Sequence, residues 1–469
     1  MFGMRVENVE EGRDEIKIST TGAIYIINKA GGEGEIICRQ RIGKEREVAT
    51  LKIHRPLDAL TVEEVNDDVC IVHQSVPPTE CWKGLRIRVH ADSMMSILGD
   101  RPIKATFKGS IIPKYGVVER GNFILIDEFG GIGCYPLGWE VPKTSMRFSG
   151  KDWQISIFLG RGQRFLTSVF PPRPFDWERS FRDRIVHHFS IEKPYPTDKE
   201  IEELSQYGNI LVLHATIWKG KYTRVGKRLK GTFDTYADAC WTSYRYTPLD
   251  SEEFSRVVKT AHELGMKVIP YMSASMSLAE GEEFMREVDR VVREYEVDGV
   301  YFDGVSDDVW EAYEIMRGVR KILGDKILYV HVPSPIIGES YSDGYYVYCP
   351  FIDTYANYTL KAEHVKSFDW RYLRYTISAY NISNAIGFVC NYNYPPKFVR
   401  EIIDQVIEAN ARLPYWAGRW VSAEFLREER PPDLKIEEEL QKIMREEYFP
   451  KLDEAERRWR NWKPAGDET

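Results

Sequence analysis

The chain predicts two fold classes in succession: an N-terminal all-β sandwich over residues 1–175, then an α/β domain of (β/α)8-barrel type over 176–425, followed by a helical extension over 426–469. Three observations predict this. Short alternating strands without an amphipathic helix fill the first third, alternation of helix and strand begins at Thr197, and Pro171-Pro172-Arg173-Pro174 stiffens the crossing between them.

In the first region, strands are expected at Ile16–Ile18, Ala23–Ile27, Gly34–Cys38, Val48–Ile53, Leu85–His90, Ala105–Lys108, Phe123–Ile126 and Trp153–Phe158, with Gly31-Gly32 and Gly130-Gly131 marking turns. Proline fixes its own backbone and biases the residue before it to extended forms, which places the domain boundary near Phe175. In the second region, Asp198–Tyr207 reads as a helix, Asn209–Ala215 as a strand, Asp250–Leu264 as a capped helix and Lys267–Ser273 as a strand. Phe284, Met285, Val288, Val291, Val292 and Tyr295 fall at helical spacing ahead of the apolar strand at Asp298–Gly304, and Asp308–Leu323 repeats the helical pattern after it. Strands are further expected at Ile327–Val332, at Phe351–Tyr355 as a strand end, and at Ala385–Cys390. Helical segments follow near Trp370 and at Pro396–Ala411. Cys240-Trp241 or Tyr375–Ile377 are candidates for the strands that complete eight, and an open doubly wound sheet is the alternative architecture. The tail, Asp433 to Trp462, carries Leu440, Ile443, Met444, Tyr448 and Phe449 on one side, suited to packing on the same chain or to homo-oligomer formation.

Composition narrows the function. A net charge of −8, from 72 acidic against 64 basic residues without a long basic block, argues against nucleic acid as a partner. No apolar run of about 18 residues or signal-peptide core is present, so no membrane and a cytoplasmic location are expected. The seven cysteines are scattered without a CxxC pair, which suggests neither a disulfide framework nor a zinc knuckle. The 27 tyrosines and 12 tryptophans, many of them in predicted loops of the second half, suit stacking on sugar rings, and the seven glutamines fit a thermophile-like composition.

The most informative stretch is Val297-Asp298-Gly299-Val300-Tyr301-Phe302-Asp303-Gly304, a buried strand that ends on a carboxylate and stops on glycine. In βαβ units function collects beyond the carboxyl ends of the strands, so Asp303 belongs to the active face and Asp298 to the opposite, structural end. The plainer alternative is a turn or helix cap. The run Pro248-Leu249-Asp250, Phe254 and Ala261-His262-Glu263-Leu264-Gly265-Met266-Lys267-Val268-Ile269-Pro270-Tyr271 resembles the helix and third strand of retaining glycoside hydrolase barrels, and Asp298 to Gly304 resembles the fourth strand. The similarity is to the assemblage of α-galactosidases, α-glucosidases and α-amylase-like enzymes, and covers residues 185 to 415. The resemblance implies a sandwich ahead of the barrel and Asp303 as nucleophile. For the general acid/base it implies Asp353 by likeness to α-galactosidases or Glu339 by likeness to α-amylase-like enzymes, with Glu363 a third candidate because it follows the same strand end; Asp353 ranks first, Glu363 second and Glu339 third.

Two carboxyl groups are needed because one attacks the anomeric carbon while the other protonates the leaving oxygen, about 5 to 5.5 Å apart in retaining enzymes and farther apart in inverting ones. Substrate-binding side chains are expected at other strand ends: His214, Trp218, Tyr271, His331, Asn391 and Tyr392 with Asn393, and Trp241 with Tyr244 and Arg245 at the mouth. His187-His188 looks like a metal pair, but no nearby His or Cys completes ligand spacing, so neither metal nor cofactor is expected. The function expected is hydrolysis or transglycosylation of an α-linked oligosaccharide or glycoside. The contrasting expectation is a catalytically silent carbohydrate-binding or scaffold protein on the same fold.

Overall fold

A computed structural model of the chain describes residues 3–75, 84–99, 101–119, 122–137, 143–149, 152–190, 193–219, 223–225, 228–230, 245–274, 277–305, 309–331, 351–360, 383–385, 396–408, 410–418 and 433–461. The chain divides into two compact units. One is Met1–Phe175 with short later segments that include 351–354, and the other contains most of the chain from Asp176 onward.

The described residues of the first unit form two eight-stranded antiparallel sheets. One begins at Val6–Glu11, runs through successive hairpins to Arg46–Ile53, and continues through Ile103–Gly109 and Asp152–Leu159 to Lys143–Ser149 at its far edge. The other runs from Tyr115–Glu119 through Asn122–Ile126, Gly131–Leu137, Arg164–Phe170, Met94–Gly99, Leu85–His90 and Val69–Gln74 to Leu60–Val65. Strands such as Gly34–Gln40 alternate strictly between buried and half-buried residues, as a sheet with one covered face requires. The inner faces form one core, in which Phe107 meets Phe123 edge-on at 5.0 Å and the Trp153 indole donates to the Ile111 carbonyl at 3.0 Å. Cys38, Cys70 and Cys134 are free thiols buried there.

Among its described residues the second unit holds nine parallel strands in the order Ala411–Arg412, Ser383–Ala385, Tyr358–Leu360, Ile327–His331, Gly299–Asp303, Lys267–Met272, Ile210–Leu213, Ile185–Phe189 and Tyr415–Gly418. The two strands at opposite ends of this order are separated in the sequence by Leu413 and Pro414 alone. Strands such as Ile185–Phe189 and Ile327–His331 are buried along their whole length, the pattern of a sheet covered on both faces. Helices Asp198–Ser205, Ser251–Glu263, Gly281–Glu294 and Val309–Leu323 alternate with the central strands. Their starts are set locally. The Thr197 and Glu200 side chains close a capping box, and the Asp250 carboxylate accepts from the backbone of Glu252 at 2.9 Å and Glu253 at 3.1 Å.

One expected strand is corrected. Phe351–Tyr355 is a short helix, and the strand follows it at Tyr358–Leu360. Buried Arg320 fixes this turn by donating to the Tyr355 carbonyl at 2.8 Å and the Asn357 side chain at 2.7 Å. The tail is helical from Leu434 to Asn461 through a π-turn at Met444–Tyr448. Its apolar side, expected to pack on this chain or on another subunit, is buried within this chain: Leu440, Ile443, Tyr448 and Leu452 are covered, Tyr448 receives the Leu413 N–H at 2.9 Å, and Trp459 stacks on Trp177 at 5.6 Å.

Candidate active site

Strand alternation sends every second side chain to the interior of the parallel sheet. Ile185 and Phe189, Ile210 and Val212, Ile269 and Tyr271, Tyr301, Ile327 and Tyr329, Tyr358 and Leu360, and Trp416 form one buried cluster. Asp303 and His331 stand two residues beyond Tyr301 and Tyr329 in the same phase, at the carboxyl ends of neighbouring strands. The register pairs Tyr301 with Tyr329 and Asp303 with His331.

That register brings a donor to each oxygen of the carboxylate. His331 Nδ1 lies 2.8 Å from Asp303 Oδ1, and the Tyr271 hydroxyl donates to Oδ2 at 3.0 Å. The Ser273 hydroxyl donates to the backbone carbonyl of Asp303, and the Tyr246 hydroxyl in turn receives the Ser273 N–H at 3.2 Å. Burial pushes the Asp303 carboxyl up, but the hydrogen bond and charge of His331 and the Tyr271 hydroxyl outweigh it and hold the group below the ordinary aspartate value. Asp303 is therefore an acceptor near neutral pH, so His331 Nδ1 is the donor of their bond.

Behind this pair lie two more imidazoles. His187 Nδ1 and His214 Nε2 share a hydrogen bond at 3.3 Å, and the His187 ring stacks on Trp416 at 5.4 Å with the planes 6° apart. Burial drives His214 down to about 3, the Asp303 charge opposing and His331 and His188 adding to the drop; burial, with His214 and His331, likewise holds His187 well below the usual value. Both are neutral around pH 7. His188 faces the other way and reaches the Lys193 carbonyl at 2.8 Å, so the adjacent histidines lie on opposite faces of their strand and cannot grip one metal ion. Among the described residues no cluster of three or more His, Cys, Asp or Glu is arranged to hold a metal.

Several expected site residues converge here and others do not. Asp303, His331, Tyr271 and His214 are gathered, the first three by direct hydrogen bonds. Trp218 is buried and spends its indole N–H on the Tyr271 carbonyl at 2.6 Å, which supports the strand carrying Tyr271. Asp353 is fully buried in the helix that precedes its strand instead of ending it. Glu363, Glu339, Trp241, Tyr244, Asn391, Tyr392 and Asn393 lie outside the described residues. Sequence reasoning missed Ser273, Tyr301, Tyr329 and Trp416 as walls and props of the site. Period-two spacing from Asp303 and His331 would have found the two tyrosines.

No family model matches the chain, and no curated protein does. Solved structures similar to it include a maltogenic α-amylase of Thermotoga neapolitana, 15% identical over 56% of this chain and 76% of that one with a TM-score of 0.38. A dextranase of Flavobacterium johnsoniae is 11% identical over 98% of this chain and 70% of that one, TM-score 0.37. An uncharacterized Listeria monocytogenes protein, in complex with glucose, magnesium and calcium, is 9% identical over 97% and 54%, TM-score 0.41. Likenesses of this degree assign no reaction or substrate to the chain.

Proposed function

We propose that the chain is a retaining glycoside hydrolase that acts on an α-linked oligosaccharide or glycoside, with Asp303 as its nucleophile. One observation carries the reading: a carboxylate at the carboxyl end of a central parallel strand is held ionised by His331 and Tyr271, one donor on each oxygen. A nucleophile must be charged before it meets the anomeric carbon, and this environment supplies that state without a metal. In the same reading Ala411–Arg412 and Tyr415–Gly418 are halves of one kinked strand, and the parallel sheet closes into an eight-stranded barrel whose carboxyl end is the substrate mouth.

The general acid/base is a second carboxyl group. Chain order now favours Glu363, three residues beyond the strand that ends at Leu360, over Asp353, which precedes that strand. Tyr271 and His331 serve the carboxylate rather than the sugar, and hydroxyl recognition falls to the residues around Trp241 and Asn391.

The test is turnover of a panel of α- and β-aryl glycosides by the wild type and by Asp303→Ala, Glu363→Gln and Asp353→Asn, with NMR of the first-formed anomer. Loss of about 10³-fold or more in Asp303→Ala with an anomer of unchanged configuration is the expected result. Full activity in Asp303→Ala sinks the nucleophile assignment, while saturable sugar binding without turnover establishes the silent carbohydrate-binding alternative.

A further inference from the structure

Strands Ile103–Gly109, Asp152–Leu159 and Lys143–Ser149 lie side by side at the far edge of one sheet of the first unit, and their register builds a grid on its outer face. Alternation sends Ala105, Phe107, Ile155 and Ile157 into the core and the residues between them outward. Lys104, Phe158 and Lys143 form the first row, Thr106, Ser156 and Ser145 the second, and Lys108, Gln154 and Arg147 the third. Its corners are four cations, set about 10 Å apart across the strands and about 14 Å apart along them. The positions between carry hydroxyls, an amide and one ring. The Thr106 and Ser156 hydroxyls share a hydrogen bond at 2.9 Å, which fixes them on the same face. The Lys104 ammonium lies 5.6 Å from the centre of the Phe158 ring, and Phe158 is 42% exposed.

All four corner residues are exposed, and none of them forms an ion pair among the described residues. The carboxylates nearby are engaged or displaced. Glu33 is held by His54 Nδ1 at 2.9 Å and by Lys52 at 3.8 Å, Glu47 accepts from the Thr50 and Ser110 hydroxyls, and Asp152 stands one row beyond Arg147, paired with Ser149. Cations on an edge strand discourage the addition of a further strand, which accounts for Lys143 and Arg147. Lys104 and Lys108 lie two strands inward, on a strand paired along both sides, where that purpose is absent.

We propose that this grid is a docking surface for an acidic polysaccharide whose carboxylates are separated by uncharged sugars. Cations this far apart match sparse charge, whereas duplex nucleic acid carries one charge in about every 1.7 Å. The hydroxyls and the Gln154 amide offer donors and acceptors to sugar hydroxyls, and the Phe158 ring offers a flat apolar patch to one sugar ring. Surfaces for single-stranded nucleic acid stack successive bases on several rings, and this grid holds one. The inference does not rest on the nucleophile reading, since it concerns binding alone and no bond changes.

The test is binding of the full chain to immobilised hyaluronan, in which uronate and uncharged sugar alternate, with neutral dextran and a thymidine oligonucleotide as comparisons. The variants are Lys104→Gln/Lys108→Gln/Arg147→Gln, Phe158→Ala, and a control that removes three exposed cations elsewhere, Lys199→Gln/Lys397→Gln/Lys442→Gln. The wild type is expected to bind hyaluronan and not dextran, more weakly as salt rises from about 50 to about 500 mM. The grid triple variant is expected to lose about tenfold or more in affinity, Phe158→Ala about threefold, and the control less than about twofold. No hyaluronan binding by the wild type overturns the inference, as does full binding by the grid variant. An equal loss in the control marks a diffuse effect of charge and overturns it too. Tighter binding of the oligonucleotide than of hyaluronan assigns the face to nucleic acid instead.

Discussion

Asp303 owes its ionised state to two side chains that arrive from separate strands, and each contribution has a measurable size. Tyr271→Phe removes the donor on Oδ2 while keeping the ring in the core, so kcat/KM on an active aryl glycoside is expected to fall about 10- to 100-fold with the acid limb displaced upward. An unaltered pH profile in Tyr271→Phe excludes that role. His214 has a different signature. Its folded-state value near 3 lies below the unfolded value of about 6.5, so the unfolded chain binds the proton more tightly and stability declines as pH falls from about 6.5 toward 3. His187 and Asp303, both also depressed, act in the same direction, Asp303 only below its ordinary carboxylate range. Urea midpoints of His214→Phe measured from pH 7 to 4 are expected to vary less with pH than those of the wild type. Asp303 itself was legible in the sequence because an apolar run ending on a carboxylate and then glycine is a local pattern. Its partners were named as sugar ligands, since nothing within one strand states which residue of the next lies beside it.

At the scale of elements, Gly299 shows how one position sets a whole strand. It opens the Gly299–Asp303 strand with φ +151°, and a Cβ built there would lie 2.0 Å from the Ile327 carbonyl oxygen of the neighbouring strand. Gly299→Ala is expected to cost about 3 kcal/mol or more, because the clash is with backbone and the conformation is one that side chains disfavour; chemical denaturation of the variant measures it. Helices with wide apolar stripes and strands with strict alternation were read correctly within a residue or two, as at Ser251–Glu263 and Gly34–Gln40. Phe351–Tyr355 was misread. Five residues with apolar ends satisfy both strand and helix periodicity, and the choice is made by Arg320, which lies far away in sequence and clamps the turn after the helix.

At the scale of the whole molecule, the described residues of the sandwich core fall between Val6 and Val169. A fragment spanning 1–175 is therefore expected to fold alone, with a β-type circular dichroism spectrum and a cooperative thermal transition; a fragment lacking such a transition refutes its independence. Deleting 433–469 uncovers Leu413, Trp177 and the apolar positions around them, and is expected to lower the melting temperature of the second unit or abolish its soluble expression. Taken alone, the sequence determined the succession of an antiparallel region and a parallel one, the capped helices between strands, and the carboxylate at the end of Gly299–Asp303. These depend on hydrophobic period and local turn chemistry, which act within a dozen residues. Only the tertiary structure decided that Tyr271 and His331 hold Asp303, that His187 and His188 part company, and that Asp353 precedes its strand. Register between parallel strands, and the state of a short apolar segment, are set by packing between residues dozens of positions apart.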